Sequence, residues 1–180
     1  MALLRIQYVL NHDDLGLYGH EGEVVLKQAG GESPGHVYMK LLSYFMFFHD
    51  DLEIERDVGQ HYKPDLVRMD GNDPVQWIDC GTTSLKKLEK LAVKNKRTTI
   101  DIIKRDNREL LAYRAQADKR LQDPSRARYF AFDAGFVDGL IPHLSSRHQL
   151  SVTLTADLAH LYLDIDGAAF DSRIWRGEPE

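Results

Sequence analysis

The stretch from Pro34 to Phe48 limits the possible folds of this chain more than any other part of its sequence. Ser33 can cap a helix, and Pro34 at the first helical position loses no hydrogen bond that the helix needs. Apolar side chains then recur at three- and four-residue steps: Val37, Leu41, Tyr44, Phe45 and Phe48. Further apolar residues widen this stripe almost to the full circumference: Met39, Leu42, Met46 and Phe47. Because such a helix must be covered on nearly all sides, we predict that it is deeply buried.

Three short extended segments follow this helix, and then come a second helix and another strand. The extended segments are 52–56, 64–69 and 75–80. The turn signal Asp70-Gly71-Asn72-Asp73 separates the last two, which favours a hairpin. Thr82-Thr83-Ser84 can cap the second helix, and the β-branched residues 98–103 form the next strand. Residues 33–104 thus predict the order helix, strand, strand, strand, helix, strand.

Regular structure is also predicted on both sides of this segment. Strands at 4–10 and 23–27 precede it, separated by a polar connection at 11–21. The elements predicted after it are a helix at 108–121, a strand at 128–132, a short helix at 136–144, and a hairpin of 150–154 with 159–163. The length suits one domain. We expect a single α/β domain over residues 1–180 with a mixed α+β sheet, a core at about 32–104, and additional strands within 4–27 and 128–163.

Composition excludes several classes of protein. The single cysteine, Cys80, rules out an intrachain disulfide and cysteine-rich zinc sites. The longest strongly apolar stretch, 41–48, is far shorter than the ~20 residues of a membrane-spanning helix, and the N-terminal segment is too short and too polar for a signal peptide. We therefore expect a cytoplasmic protein that does not enter a membrane. The formal net charge of −5 gives no overall attraction to nucleic acid, so any such contact would be local.

Two aspartates are the strongest candidates for chemistry. Asp79 lies in the segment 75–80, whose two faces are both mostly apolar, and a buried carboxylate there must be neutralised, hydrogen-bonded or metal-bound. Capping of the next helix or pairing with a lysine would satisfy it equally well. Asp65 precedes Asp79 by the span of two adjacent strands and a tight turn, so both meet at one end of the sheet. Two such charges ~5 Å apart repel by roughly 3 kcal/mol at an effective dielectric near 20. A divalent cation with hard oxygen ligands, Mg²⁺ or Mn²⁺, would remove that repulsion.

Lysines follow these aspartates on the second helix. Lys87 lies at the edge of the buried face and Lys90 further round, although lysines on helices are most often simply solvated. Positive charges dominate the segment 86–108: Lys86, Lys87, Lys90, Lys94, Lys96, Arg97, Lys104, Arg105 and Arg108. This basic patch is a candidate contact for a nucleic-acid backbone.

The order of these residues resembles that of the PD-(D/E)xK, or restriction-endonuclease-like, superfamily. The resemblance lies in Pro64-Asp65, Asp79-Cys80-Gly81, the lysine-bearing helix that follows, and Glu32 before the first helix. It implies a restriction-endonuclease-like core in which Glu32, Asp65 and Asp79 converge. Asp79 stands where relatives tend to have glutamate. Gly81 stands where nucleases of the superfamily usually carry lysine, so a lysine from the following helix would have to substitute.

The chain from its N-terminus to about residue 165 also resembles the YaeQ family of bacterial proteins. The residues that carry this resemblance are Glu32-Ser33, Lys40-Leu41-Leu42, Asp51-Leu52-Glu53-Ile54, Pro64-Asp65-Leu66, Trp77-Ile78-Asp79-Cys80-Gly81, Lys87-Leu88-Glu89-Lys90 and Leu150-Ser151-Val152-Thr153-Leu154-Thr155. The resemblance implies the same order of helices and strands as the residue patterns predict for 33–104, but it implies no particular activity.

We therefore predict a metal-dependent, nuclease-like phosphodiesterase. Glu32, Asp65 and Asp79 would hold Mg²⁺ or Mn²⁺, and Lys87, or else Lys90, would orient water or neutralise the scissile phosphate. Two alternatives remain: a non-catalytic protein of the same fold that binds a protein or nucleic acid, and an enzyme for a small phosphorylated metabolite.

His36 could lie near Glu32, but a surface histidine, or one whose hydrogen bonds are already satisfied, is the simpler interpretation. Residues 164–167 begin like a calcium loop, yet a turn explains them better.

Overall fold

The computed structural model describes residues 2–177 and contains two five-stranded β-sheets. The strands, in chain order, are β1 (Ala2–His12), β2 (Leu17–Gln28), β3 (Leu52–Ile54), β4 (Leu66–Asp70), β5 (Asp73–Cys80), β6 (Thr99–Lys104), β7 (Ala127–Ala131), β8 (Arg147–Leu154), β9 (His160–Ile165) and β10 (Ala168–Arg173). The α-helices are α1 (Pro34–Met46), α2 (Leu85–Lys94), α3 (Asn107–Arg120) and α4 (Phe136–Leu140). The predicted α/β class with mixed pairing is confirmed.

The first sheet has the strand order β10-β9-β8-β1-β2. β1 and β2 form a long antiparallel ribbon, and β8 pairs with β1 in parallel. The polar connection predicted at 11–21 is wrong, because the ribbon stays paired as far as His12 opposite Leu17. Only a short 3₁₀ turn, Asp13–Leu15, and Gly16 link the two strands. Polar residues are compatible with strand here because most of this stretch is exposed to solvent.

The edge strand β10 was not predicted. It pairs antiparallel with β9 across the turn at Asp166 and Gly167, where Gly167 N donates to Asp164 Oδ1 at 2.8 Å. The interpretation of residues 164–167 as a turn is therefore confirmed. Ser172 is the one fully buried residue among the positions of β10, so its sequence lacks the apolar alternation that identifies a strand.

The second sheet has the strand order β3-β4-β5-β6-β7. β3, β4 and β5 pair antiparallel, while β6 and β7 run parallel to β5 and to each other. The order of elements predicted for 33–104 is confirmed, with the hairpin turn between Asp70 and Asp73. The segment 128–163, predicted as additional strands, is divided between the sheets: β7 extends the second sheet, whereas β8 and β9 belong to the first.

Helix α1 lies between the two sheets. Ser33 caps it by accepting a hydrogen bond from His36 N, and one hydrophobic cluster joins it to the inner faces of both sheets. A second cluster, built on Trp77, Ile100 and Ile102, lies on the other face of the second sheet and is covered by α2 and α3. The predicted deep burial of the first helix is confirmed. Among residues 2–177, no helix is long and apolar enough to cross a membrane.

Candidate functional site

Asp65 joins three elements at one end of the second sheet. It directly precedes β4, and its Oδ2 accepts a hydrogen bond from Cys80 N, at the end of β5, at 2.7 Å. Its Oδ1 lies 3.0 Å from Nε2 of His36 on α1. This hydrogen bond raises the pKa of His36, although burial of the ring acts in the opposite direction. The pair therefore favours a protonated imidazole on a carboxylate.

Glu32, just before α1, belongs to a separate ion-pair cluster around Lys40 of that helix. The side chain of Lys40 is fully buried, and its Nζ lies 2.6 Å from Oε1 of both Glu32 and Glu55. Burial would lower the pKa of Lys40, but its bonds to the two carboxylates outweigh that effect and raise it. Glu32 Oε2 also accepts from Ala29 N at 2.9 Å. Both carboxylate oxygens of Glu32 are thus already engaged.

Asp79 points to the opposite face of the sheet, toward α2. It is 1% exposed, and its Oδ1 accepts from Trp77 Nε1 at 2.9 Å. Lys87 Nζ lies 2.6 Å from Oδ2, off the direction of a hydrogen bond, so we treat the contact as an ion pair. Burial raises the pKa of Asp79, whereas Lys87 acts to lower it. The helix that follows the strand does therefore supply a lysine to this carboxylate.

The predicted site residues form a chain rather than a single cluster. Asp65 lies at its centre, next to His36 on one side and to the Cys80 amide that follows Asp79 on the other. Glu32 reaches Asp65 only through His36, whose Nε2 is 3.5 Å from Glu32 Oε1. The ammonium group of Lys90 lies over Tyr62, 5.9 Å from the ring centroid, and makes no ion pair with these acids in the described part of the chain. Across residues 2–177, no group of three or more His, Cys, Asp or Glu side chains is arranged to hold a metal ion.

Gly81 explains why no lysine stands at the usual position on the strand. Its φ is +69°, and a Cβ there would lie 3.2 Å from His36 Nδ1 and 3.2 Å from Met39 Cε. The backbone cannot easily move away, because Gly81 N donates to Ile103 O at 2.8 Å. A side chain at position 81 would therefore be disfavoured both by the left-handed backbone and by α1.

A polar cleft of about 570 Å³ opens beside Gly81, between α1 and α3. His36 lies on its α1 side, and Tyr113 on its α3 side. Lys104, the last residue of β6, donates to Gly81 O at 2.5 Å and lies 4.0 Å from the centroid of the Tyr113 ring. Two lysines thus approach the end of β5: Lys87 at Asp79, and Lys104 at Gly81.

Comparison with known proteins identifies the family. A family model described as YaeQ protein matches residues 4–172. The chain belongs to the YaeQ family. Among solved structures, the YaeQ protein from Xanthomonas axonopodis pv. citri has a TM-score of 0.78 at 19% identity, with 96% of each chain covered. The YaeQ protein from Pseudomonas syringae has a TM-score of 0.80 at 14% identity, with 99% of this chain and 97% of that chain covered. At these identities the likeness shows a shared YaeQ fold. Curated proteins give no significant match.

Sequence reasoning missed Lys40, the buried lysine that pairs with Glu32, and its second partner Glu55. Glu32, His36 and Lys40 recur at four-residue steps, which places them along one side of the α1 region. Lys40 is also the one Lys, Arg, Asp or Glu residue in a mostly apolar helix, which signals a buried and paired charge. Glu55 carried no such signal, because only the folded chain brings it to Lys40. Its φ of +54°, uncommon for a residue with a side chain, marks it as a constrained position.

The His36–Asp65 pair makes stability depend on pH. Because the pKa of His36 is raised above about 6.5 in the folded state, its contribution is complete below that pH and is lost as pH rises through the folded-state value. We expect Asp65→Asn to lower the pKa of His36, measured by NMR titration. We also expect it to destabilise the protein more at pH 6 than at pH 9, by on the order of 1 kcal/mol. Asp73→Asn, in the exposed turn, should change neither quantity; an unchanged His36 titration in Asp65→Asn would contradict the pairing.

Proposed function

We propose that this protein is a nuclease-like, metal-dependent phosphodiesterase of the PD-(D/E)xK type. The observation that carries the proposal is the ion pair of 2.6 Å between Lys87 and Asp79, next to the point where Asp65 binds the Cys80 amide. Acid, acid and lysine are the groups that phosphodiester hydrolysis by this superfamily uses. The lysine reaches the site from α2, which offsets its loss from position 81.

Asp65 and Asp79 are the residues proposed to hold the metal. Mg²⁺ is commonly bound through one or two carboxylates, together with water and substrate oxygens, so two aspartates on neighbouring strands have suitable donor chemistry. Glu32, predicted as a third ligand, could join only by giving up its contact with Lys40 or Ala29. A bound Mg²⁺ or Mn²⁺ would act as a Lewis acid and lower the pKa of a bound water.

The protein's own groups have distinct roles in this proposal. Lys87 is proposed to neutralise the scissile phosphate or to orient water, since its side chain is 18% exposed while Asp79 beside it is buried. Lys87 also donates to Lys63 O at 3.1 Å, which holds the ammonium at the edge of the site. His36 is proposed to fix the orientation of Asp65. Lys90, over the ring of Tyr62, is better placed to contact the substrate outside the site than to serve the acids.

Nucleic acid is the substrate class that the surrounding charge favours. Several basic residues of the patch at 86–108 are exposed on α2 and in the turn that follows it: Lys86, Lys90, Lys94, Lys96 and Arg97. They lie on the same helix as Lys87 or directly after it, so a phosphate backbone lying along α2 would reach the site. Lys104 is buried and is not part of this surface.

The proposal is tested by cleavage assays on DNA and RNA with Mg²⁺ and with Mn²⁺. We expect metal-dependent cleavage by the wild type and a loss of about 100-fold or more in Asp79→Asn, since removal of a group that stabilises charge in the transition state commonly costs that much. Asparagine keeps an oxygen for the Trp77 indole N–H, so the fold should survive, as circular dichroism would show. Asp73→Asn, at the other end of β5, is the matched control and should cleave normally. Absence of cleavage by the wild type, or activity that survives in Asp79→Asn, would refute the proposed site.

A second candidate is a non-catalytic protein that binds nucleic acid or a protein through the same fold. It is favoured by the fact that every predicted acid already has a cationic neighbour: Glu32 has Lys40, Asp65 has His36, and Asp79 has Lys87. The same assays separate the two candidates. Nucleic-acid binding that weakens with added salt, without cleavage and without a rise in melting temperature on addition of Mn²⁺, would favour the binding protein.

The cytoplasmic location expected from the single cysteine stays a prediction.

A further inference from the structure

The cleft between α1 and α3 is placed where ligands often bind in α/β proteins. It lies at the carboxyl ends of the parallel strands β5 and β6, and its volume of about 570 Å³ is within the range for small-molecule sites. The loop from Gly81 to Thr83 and the N-terminal turn of α1 both line this cleft. The Asp79 carboxylate is not among its lining residues.

Lys104 is a buried cation without a counter-ion. It is 6% exposed, and among the described residues its hydrogen-bond acceptor is a single carbonyl, Gly81 O, with no carboxylate at ion-pair distance. Burial accordingly lowers its pKa. Lys40, the other buried lysine, has two carboxylates at 2.6 Å. Because a buried charge is costly unless it is paired, Lys104 is left in a state that an incoming anion would stabilise.

The other cations around the cleft already have negatively charged partners. His36 is matched by carboxylates, since its Nε2 lies 3.0 Å from Asp65 Oδ1 and 3.5 Å from Glu32 Oε1. Arg105 is already matched, since it binds Glu109 at 3.1 Å and Asp138 at 3.2 Å. Glu109 lines the cleft and Asp79 lies behind it, and both act on Lys104 only at longer range. Among the described residues, Lys104 is therefore the cation of the cleft that has no carboxylate at ion-pair distance.

We propose that this cleft binds a phosphate group, with Lys104 as its counter-ion. The group is carried either by a molecule the size of a mononucleotide or by the terminal phosphate of a nucleic-acid strand. The proposal goes beyond the phosphodiesterase, because it requires no metal, no cleavage and no contribution from Asp79. The ammonium group of Lys104 has three donors, which suits a phosphate with several acceptor oxygens.

Titration of the whole protein with inorganic phosphate, followed by NMR without added metal, tests the proposal. We expect saturable shifts in residues of the cleft, and a dissociation constant at least about 10-fold higher in Lys104→Met, the size of effect typical of a lost charge-assisted hydrogen bond. The matched control is Lys119→Met, on the exposed surface of α3 and outside the cleft, which should bind as the wild type does. Wild-type protein that shows no saturable shifts, or Lys104→Met that binds equally well, would overturn the proposal.

The melting temperature of Lys104→Met, with and without phosphate, provides a second test of the proposal. Gly81 O still accepts from Thr83 N at 3.1 Å, so methionine leaves no buried carbonyl unpaired. We expect the unliganded variant to melt at the same temperature as the wild type or about 2–4 °C higher, whereas phosphate should raise the melting temperature of the wild type alone. A variant that is folded and equally stabilised by phosphate would contradict the role of Lys104.

The source of the phosphate is separated by two further probes. Stronger binding of a 5′-phosphorylated oligonucleotide than of its unphosphorylated form would identify a strand end, and preference for a mononucleotide would identify a small ligand. Asp79→Asn should retain phosphate binding, because its carboxylate is not in the cleft. If Asp79→Asn loses cleavage but still binds phosphate, the failure of one proposal can be distinguished from the failure of the other. If Asp79→Asn and Lys104→Met weaken phosphate binding equally, the cleft is not a site independent of Asp79.

Discussion

Replacement of Lys40 by methionine is expected to lower the free energy of unfolding by about 3 kcal/mol. Removal of one partner from a buried ion pair commonly costs about 3–5 kcal/mol, because the remaining charge is left without compensation. The side chain of Glu55 is 28% exposed and can recover some hydration, which places the expected effect at the low end of that range. Urea denaturation of wild type and variant measures the difference directly.

Two further variants establish that the loss comes from the buried charges. Lys27→Met removes an exposed lysine from the adjacent strand β2 and should change the free energy of unfolding by less than about 0.5 kcal/mol. Adding Glu32→Gln to Lys40→Met removes one orphaned carboxylate, so the double variant should recover about 1 kcal/mol relative to additivity. A Lys40→Met protein as stable as the Lys27→Met protein would mean that this cluster contributes little to the fold.

Gly81→Ala is expected to destabilise the protein by about 2–3 kcal/mol. A left-handed φ costs a residue with a side chain roughly 1 kcal/mol or more. The contacts of 3.2 Å with His36 Nδ1 and Met39 Cε add a packing term of on the order of 1 kcal/mol. Thermal or urea unfolding checks the value, and a lysine at this position should cost more still.

Gly71→Ala is the control that separates these two terms. Gly71 has a φ of +59° in the exposed turn between β4 and β5, and an added Cβ there would meet no atom within 4 Å. Its cost should therefore be the backbone term alone, about 1 kcal/mol. If both alanine variants lose the same stability, the close approach of α1 to Gly81 is not what excludes a side chain there.

Much of the fold follows from local patterns in the sequence. The Ser33-Pro34 start and the unbroken apolar run after it predict α1, and the turn signal at Asp70 predicts the β4–β5 hairpin; both are confirmed. Local patterns fail where a strand has little to bury, as in β10 and in the part of the β1–β2 ribbon near His12. They also do not indicate which sheet a strand joins, since β7 and β8 follow one another in the chain but belong to different sheets.

The site was harder to predict than the fold because it consists of ion pairs and hydrogen bonds between residues from different elements. The sequence indicates that Asp79 needs a partner, and it even suggests Lys87, because the helix follows the strand directly. The sequence does not indicate that Glu55 pairs with Lys40, or that Lys104 has no carboxylate beside it. Both facts depend on contacts between distant segments. Glu32 was assigned to the metal by resemblance, but in the folded chain it precedes α1 and pairs with Lys40, which lies further along that helix.

The parallel pairing of β1 with β8 has a consequence for how this chain acquires its structure. The two strands are separated by most of the polypeptide, and they can meet only after the intervening residues have been synthesised. The second sheet, by contrast, is assembled from strands that follow one another in order. Contacts that close such a long loop are entropically costly and form slowly. On a ribosome, the sheet that carries Asp65 and Asp79 can therefore assemble early, whereas the first sheet can be completed only after β8 has emerged.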